Sequence, residues 1–171
     1  MSGRGKPFEH LIEEWTEDAK RLGLLAHAEH TQAKTNVRKG GLRYEGSGVA
    51  DYVLCLGTGA YGAVEAKSDE DDRLMHSRIE PLQARHLDVV VKAGALALLL
   101  AEMHVDGLAR RFAVPWDRVP WKVVRSAESV SMWDILGWEI KRDNYLTRFT
   151  VPRLVAGVPV DFRAKRVYPR G

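Results

Sequence analysis

The chain has 171 residues, of which 45% are apolar and 29% charged, with a formal net charge of +3. That length is enough to bury one substantial core, and the apolar content excludes an intrinsically disordered chain. A single cysteine, Cys55, excludes an internal disulfide and leads us to expect a reducing, cytoplasmic setting; no apolar run approaches a bilayer span, and no apolar leader opens the sequence.

Pro7 to Leu22 is predicted to be an amphipathic helix, because Phe8, Leu11, Ile12, Trp15, Ala19 and Leu22 recur at helical spacing and Gly23 supplies a C-terminal stop. Glu9 borders that stripe, placed to turn toward a neighbouring sheet, although the helix dipole alone also favours an acid there. Leu24 to Glu29 is predicted as the first strand, with His27 and His30 as ordinary strand histidines. From His30 to Gly46 the chain is polar, basic and glycine-punctuated, which predicts a loop or projecting arm. Lys34, Arg38, Lys39 and Arg43 have no acid among them, so phosphate is a natural ligand.

Val49 to Leu56 and Ala60 to Lys67 have the pattern of two strands joined by Gly57-Thr58-Gly59, a three-residue hairpin link in which glycine tolerates positive φ. Leu56 then faces Ala60. Counting outward sets Asp51 opposite Glu65 with Lys67 on the same face, and Val64 and Ala66 on the other. Opposed carboxylates repel unless a cation lies between them, so these residues have the make-up of a hard-metal site with an adjacent ammonium. The same spacing also occurs in solvated hairpins, and a slip of one residue would carry Asp51 to the other face.

Ser68 to Asp72 is expected to be an acidic, solvated loop. Pro81 opens a second helix, marked by Leu82, His86, Leu87, Val90 and Val91 and ended by Gly94. Gln83 and Arg85 fall in its first turns, either near the active face or on the helix surface. Ala95 to Met103 is predicted as a buried central strand and Arg111 to Val114 as a short one. A short helix near Met132 to Leu136 follows, with Ser131 and Asp134 at capping-box spacing. Trp116, Trp121, Trp133 and Trp138 are expected to pack in the late core. Hairpin, helix and buried strand in this order predict an α/β domain with helices on both sides of a mixed sheet. We assign it residues 1–150, with the arm at about 30–46 and a basic extension over 151–171. From Lys141 onward there are eight basic residues against Asp143 and Asp161, which suits a polyanion or a solubilising surface.

With "GKPFEHLIEEW", "GVADYVLCL", "GAVEAKS" and "PLQARHLDVVVKAG" in that order, the chain resembles RecU-like Holliday junction resolvases of the PD-(D/E)xK nuclease superfamily over roughly residues 3–140. The resemblance implies a restriction-endonuclease-like three-layer α/β/α fold and a homodimer. It also implies cleavage of four-way DNA junctions in recombination, repair or phage DNA processing, in a bacterial cell or phage-infected host. Mg²⁺ is the implied cofactor, with Mn²⁺ as a substitute.

By the same resemblance Asp51, Glu65, Lys67, Glu9 and Gln83 are catalytic residues, and Asp51, Glu65, Glu9 and the Ala66 carbonyl are the metal ligands. Arg4, Lys6 and Arg85 join Lys34, Arg38, Lys39 and Arg43 as expected DNA contacts. Two departures stand out. Ser47-Gly48-Val49-Ala50 places no hydroxyl immediately before Asp51, and the arm is short and lacks a proline-rich start. A restriction-like or repair nuclease on other DNA, and a noncatalytic DNA-binding protein, are the alternative functions.

Overall fold

A computed structural model describes residues 6–31, 34–38, 41–45, 49–123 and 128–140, the segment 34–45 by its backbone alone. Lys6–Arg21 forms α1; Phe8, Ile12 and Ala19 are buried along one stripe, while Glu13, Glu14, Glu17 and Asp18 face water. Gly23, at φ 70°, ends the helix and turns the chain into β1, Leu25–His30.

The basic segment expected as a loop or projecting arm is a β-hairpin. β2, Lys34–Arg38, and β3, Gly41–Glu45, pair antiparallel as their own two-stranded sheet, with Asn36 opposite Arg43. Val37, Leu42 and Tyr44 alternate with charged residues at the period a strand needs, a signal hidden among the basic residues and glycines.

β4, Tyr52–Leu56, and β5, Tyr61–Asp69, follow, then β6, Arg73–Met75, and α2, Pro81–Lys92. β7, Leu96–Val105, and β8, Leu108–Pro115, lead to a short α3, Pro120–Val123. β9, Ser129–Ser131, and a 3₁₀ turn at Met132–Trp138 close the described chain. β5 therefore continues through Ser68 and Asp69, which were expected in a loop, and β8 is longer than the Arg111–Val114 expected. β6 and β9 pair with each other, a small sheet that three-residue strands give no pattern to predict.

The main sheet runs β1-β4-β5-β7-β8. β5 and β7 are parallel and every other neighbouring pair is antiparallel, so the sheet is mixed. A parallel pair needs a crossover, and α2 lies within it. Successive residues of the central strands feed two separate cores. Val64, Leu98 and Leu100 pack with Phe8 and Ile12 of α1, whereas Ala63, Leu99 and Ala101 pack with Leu87 and Val90 of α2. One helix thus covers each face, which is the expected three-layer α/β/α fold with a mixed central sheet.

Trp116 and Trp121 are buried in the second core and Trp138 packs against it. Trp133, expected there too, is 63% exposed, because it lies on the outer side of the 3₁₀ turn whose Met132 and Ile135 point inward. The reciprocal hydrogen bonds of Ser131 and Asp134 cap that turn as predicted. Among the described residues no helix is long and apolar enough to cross a membrane. Arg4, Lys39 and the 151–171 extension lie outside the described residues.

Candidate active site

The β4–β5 turn sets the register of the site. The Leu56 N–H donates to the Ala60 carbonyl at 2.8 Å, and Gly59 adopts φ 81°, where a side chain is disfavoured. Gly57 donates its N–H to the Leu24 carbonyl at 2.8 Å and lies so close to Gly23 that a Cβ would collide with its carbonyl oxygen. The ladder then runs from Cys55 opposite Tyr61 to Tyr52 opposite Val64, and the next residues in register are Asp51 and Glu65.

There β4 stops. It begins at Tyr52 rather than at the expected Val49, while β5 continues along β7 alone. The Ala66 N–H donates to Asp51 Oδ2 at 2.8 Å, so a side chain takes the place of the ladder. Thr31, just past β1, secures the same point: its N–H donates to the Asp51 carbonyl at 2.9 Å and its hydroxyl to the Ala50 carbonyl.

Glu65 is fully buried. Its Oε1 accepts a hydrogen bond from the Lys67 ammonium, which also lies 3.5 Å from Asp51 Oδ2, whereas Oε2 has no hydrogen-bond partner among the described residues. Burial, and then the charge of Asp51, push the Glu65 carboxyl up from 4.5 to about 7 against the opposing pull of Lys67. Burial works to lower the pKa of Lys67, which is only 16% exposed, yet Asp51 and Glu65 together hold it above the ordinary lysine value. The ammonium is therefore the standing counter-charge of two carboxylates.

A cleft of about 150 Å³ opens onto Asp51 and Lys67, lined also by Glu9 of α1, His30 of β1 and Ser68, while Glu65 lies buried behind them and does not line it. His30 stacks on Tyr52 with ring centroids 4.6 Å apart, a placement that its isolation in sequence did not suggest. Glu9 shares the cleft with Asp51, but among the described residues no three His, Cys, Asp or Glu side chains form a metal-binding group. The structure brings Asp51 and Glu65 together through Lys67 and leaves Glu9 on the cleft wall. Two carboxylates, one with a buried oxygen lacking a donor, still fit a hard divalent cation, which favours oxygen ligands.

Gln83 is buried, so it is not a surface residue of its helix. Its side-chain oxygen accepts the Glu80 N–H at 3.0 Å in a reciprocal capping box that starts α2, and it is not among the residues lining the cleft. Arg85 is exposed two residues further along α2. Lys6 opens α1, Lys34 and Arg38 lie in β2 and Arg43 in β3, placed by backbone alone.

No protein-family model and no curated protein match the chain. Among solved structures it is similar to Hjc of Archaeoglobus fulgidus, a Holliday junction resolvase from an archaeal hyperthermophile. The TM-score is 0.47 and the sequence identity 16%, over 82% of this chain and 93% of that one.

Proposed function

We propose that this chain is a metal-dependent endodeoxyribonuclease that hydrolyses phosphodiester bonds of four-way DNA junctions. The observation that carries the chemistry is Glu65: a carboxylate fully buried beside a second one, with one oxygen lacking a donor and Lys67 as its only counter-charge among the described residues. A site of that kind is expensive to maintain without a cation to serve. Asp51, Glu65 and the Ala66 carbonyl are the proposed metal ligands, and Glu9 approaches the same cleft from α1. When bound there, Mg²⁺ supplies positive charge against the scissile phosphate and acidifies water.

The protein residues divide the remaining work. Asp51 is held rigidly by the Ala66 N–H and by Thr31 on its backbone, so its free oxygen keeps a fixed direction. Lys67 stays protonated through neutral pH and can stabilise charge developing on a phosphate at the cleft. Glu65, titrating near neutrality, exchanges its proton for a cation at little cost.

The junction as substrate is supported by the motif order of the sequence, and the basic hairpin β2–β3 is the proposed contact to its phosphates. Paired symmetric cuts call for two copies related by a twofold axis. Incubating the purified chain with Mg²⁺ and, separately, a four-way junction, a matched duplex and a flap tests the proposal. Paired nicks in the junction alone are expected; cleavage confined to duplex or flap would reassign the substrate, and no cleavage of any of them would refute the nuclease.

A further inference from the structure

A second carboxyl group is buried in the sheet. Glu102 of β7 has a side chain only 6% exposed, and in register it lies between Ser68 of β5 and Arg111 of β8, one row across three adjacent strands. Its Oε1 accepts the Ser68 hydroxyl at 3.2 Å and lies 3.4 Å from His104 Nε2; its Oε2 accepts Arg111 Nε at 2.8 Å. Ser68 also lines the cleft beside Lys67. The row therefore leads from the cleft wall to the guanidinium of Arg111.

A buried carboxylate needs a counter-ion, and a purely structural pair would meet that need. The neighbouring Arg110 shows what such a pair looks like here. It gives Nε and Nη2 to the two oxygens of Glu139 at 2.6 and 2.7 Å and turns Nη1 onto Met132 Sδ at 3.5 Å. Arg111 uses only Nε. Both of its Nη nitrogens lack a hydrogen-bond partner among the described residues, on a side chain that is 35% exposed. Its plane is thus fixed from one side while the paired donors that suit phosphate oxygens stay available.

We propose that Arg111, oriented by Glu102, binds a phosphodiester of the DNA strand beside the one at Asp51 and Lys67, so that Ser68, Glu102 and Arg111 extend the active site across the sheet. This rests on the nuclease reading above. Arg111 acts as a positioning residue, setting the register of the strand over the cleft, and Glu102 acts through it.

The test is the salt dependence of binding to a labelled four-way junction without divalent metal, between about 50 and 200 mM salt. Arg111→Gln leaves Glu102 buried without its cation, so Glu102→Gln/Arg111→Gln is measured beside it to remove both charges, and melting curves establish which variants are folded. Leaving one phosphate without its cation shrinks the slope of log Kd against log[salt] by about 0.9, while Arg111→Lys keeps the slope. Arg110→Gln serves as the comparison, with a lower melting temperature and an unchanged slope. A folded Arg111→Gln or Glu102→Gln/Arg111→Gln variant with the slope of the unmodified chain would overturn the proposal while leaving the nuclease intact. Absence of both binding and cleavage by the unmodified chain would overturn the nuclease reading, and this one with it.

Discussion

Asp51 Oδ2 accepts the backbone N–H of Ala66 at 2.8 Å, so a carboxylate closes the β4–β5 ladder at the point where β4 has already ended. The bond does two things at once. It satisfies a β5 donor that has lost its strand partner, and it places a charge beside buried Glu65. Fold and site therefore share one hydrogen bond, and the consequences extend to pH, metal affinity and stability.

Glu65 titrates at about 7 instead of 4.5, so the folded chain holds that proton more tightly than the unfolded one. Its contribution to stability is fully present below the ordinary value and lost as pH rises through about 7. Thermal midpoints measured in chelator should therefore fall between about pH 5 and 8, and Glu65→Gln should flatten that fall. Lys67, raised above its ordinary 10.5, adds no slope in this window. Mg²⁺ affinity should rise with pH toward 7 as binding releases a proton, countable by calorimetry in two buffers. A pH-independent affinity would remove Glu65 from the ligand set.

Lys67→Ala separates metal binding from catalysis. The ammonium competes with any cation for Asp51 and Glu65, so its removal should tighten Mg²⁺ binding. Single-turnover cleavage should nevertheless fall by about 10²–10³-fold, the usual cost of losing a positioned electrostatic donor. Cleavage at the unmodified rate would take Lys67 out of the chemistry.

Gly57→Ala tests the turn that sets the register. A Cβ there meets the Gly23 carbonyl oxygen, a backbone atom that cannot rotate away. Urea unfolding should show a loss of about 1–3 kcal/mol, against within about 0.5 kcal/mol for the exposed Thr58→Ala. Equal midpoints for the two variants would mean that the turn relaxes freely.

Neutralising Lys34, Arg38, Lys39 and Arg43 together should weaken junction binding. It should also reduce the salt slope by about 0.9 for each DNA phosphate that is left without a basic partner. Fluorescence anisotropy over a salt series measures both, and an unchanged slope would take the β2–β3 hairpin out of the DNA interface.

Much of this arrangement was legible in the sequence, for particular reasons. The length of the Gly57-Thr58-Gly59 link fixed the pairing of Asp51 with Glu65, and the stripes of α1 and α2 identified the two covering helices. The early end of β4 was not legible, because Val49 and Ala50 fit a strand by type and only the Asp51–Ala66 bond explains why pairing stops. Thr31 and His30 gave no local pattern, since their roles arise from segments some twenty residues apart in sequence. Glu102 has a signal in the sequence, since an acid inside LALLLAEMHV is as costly as one inside GAVEAK, but its partners Ser68 and Arg111 come from two other strands.

The most direct measurement is Mg²⁺-dependent cleavage of a labelled four-way junction by Asp51→Asn beside the unmodified chain, each at a concentration that saturates the DNA. The substitution keeps the shape of the side chain and its bond from Ala66 but removes its charge. Unmodified chain should cut the junction in two symmetric strands, while Asp51→Asn should bind equally well and cut about 10²–10³-fold more slowly. Equal cutting by both would contradict the assignment of Asp51 and Glu65 as the metal-dependent centre.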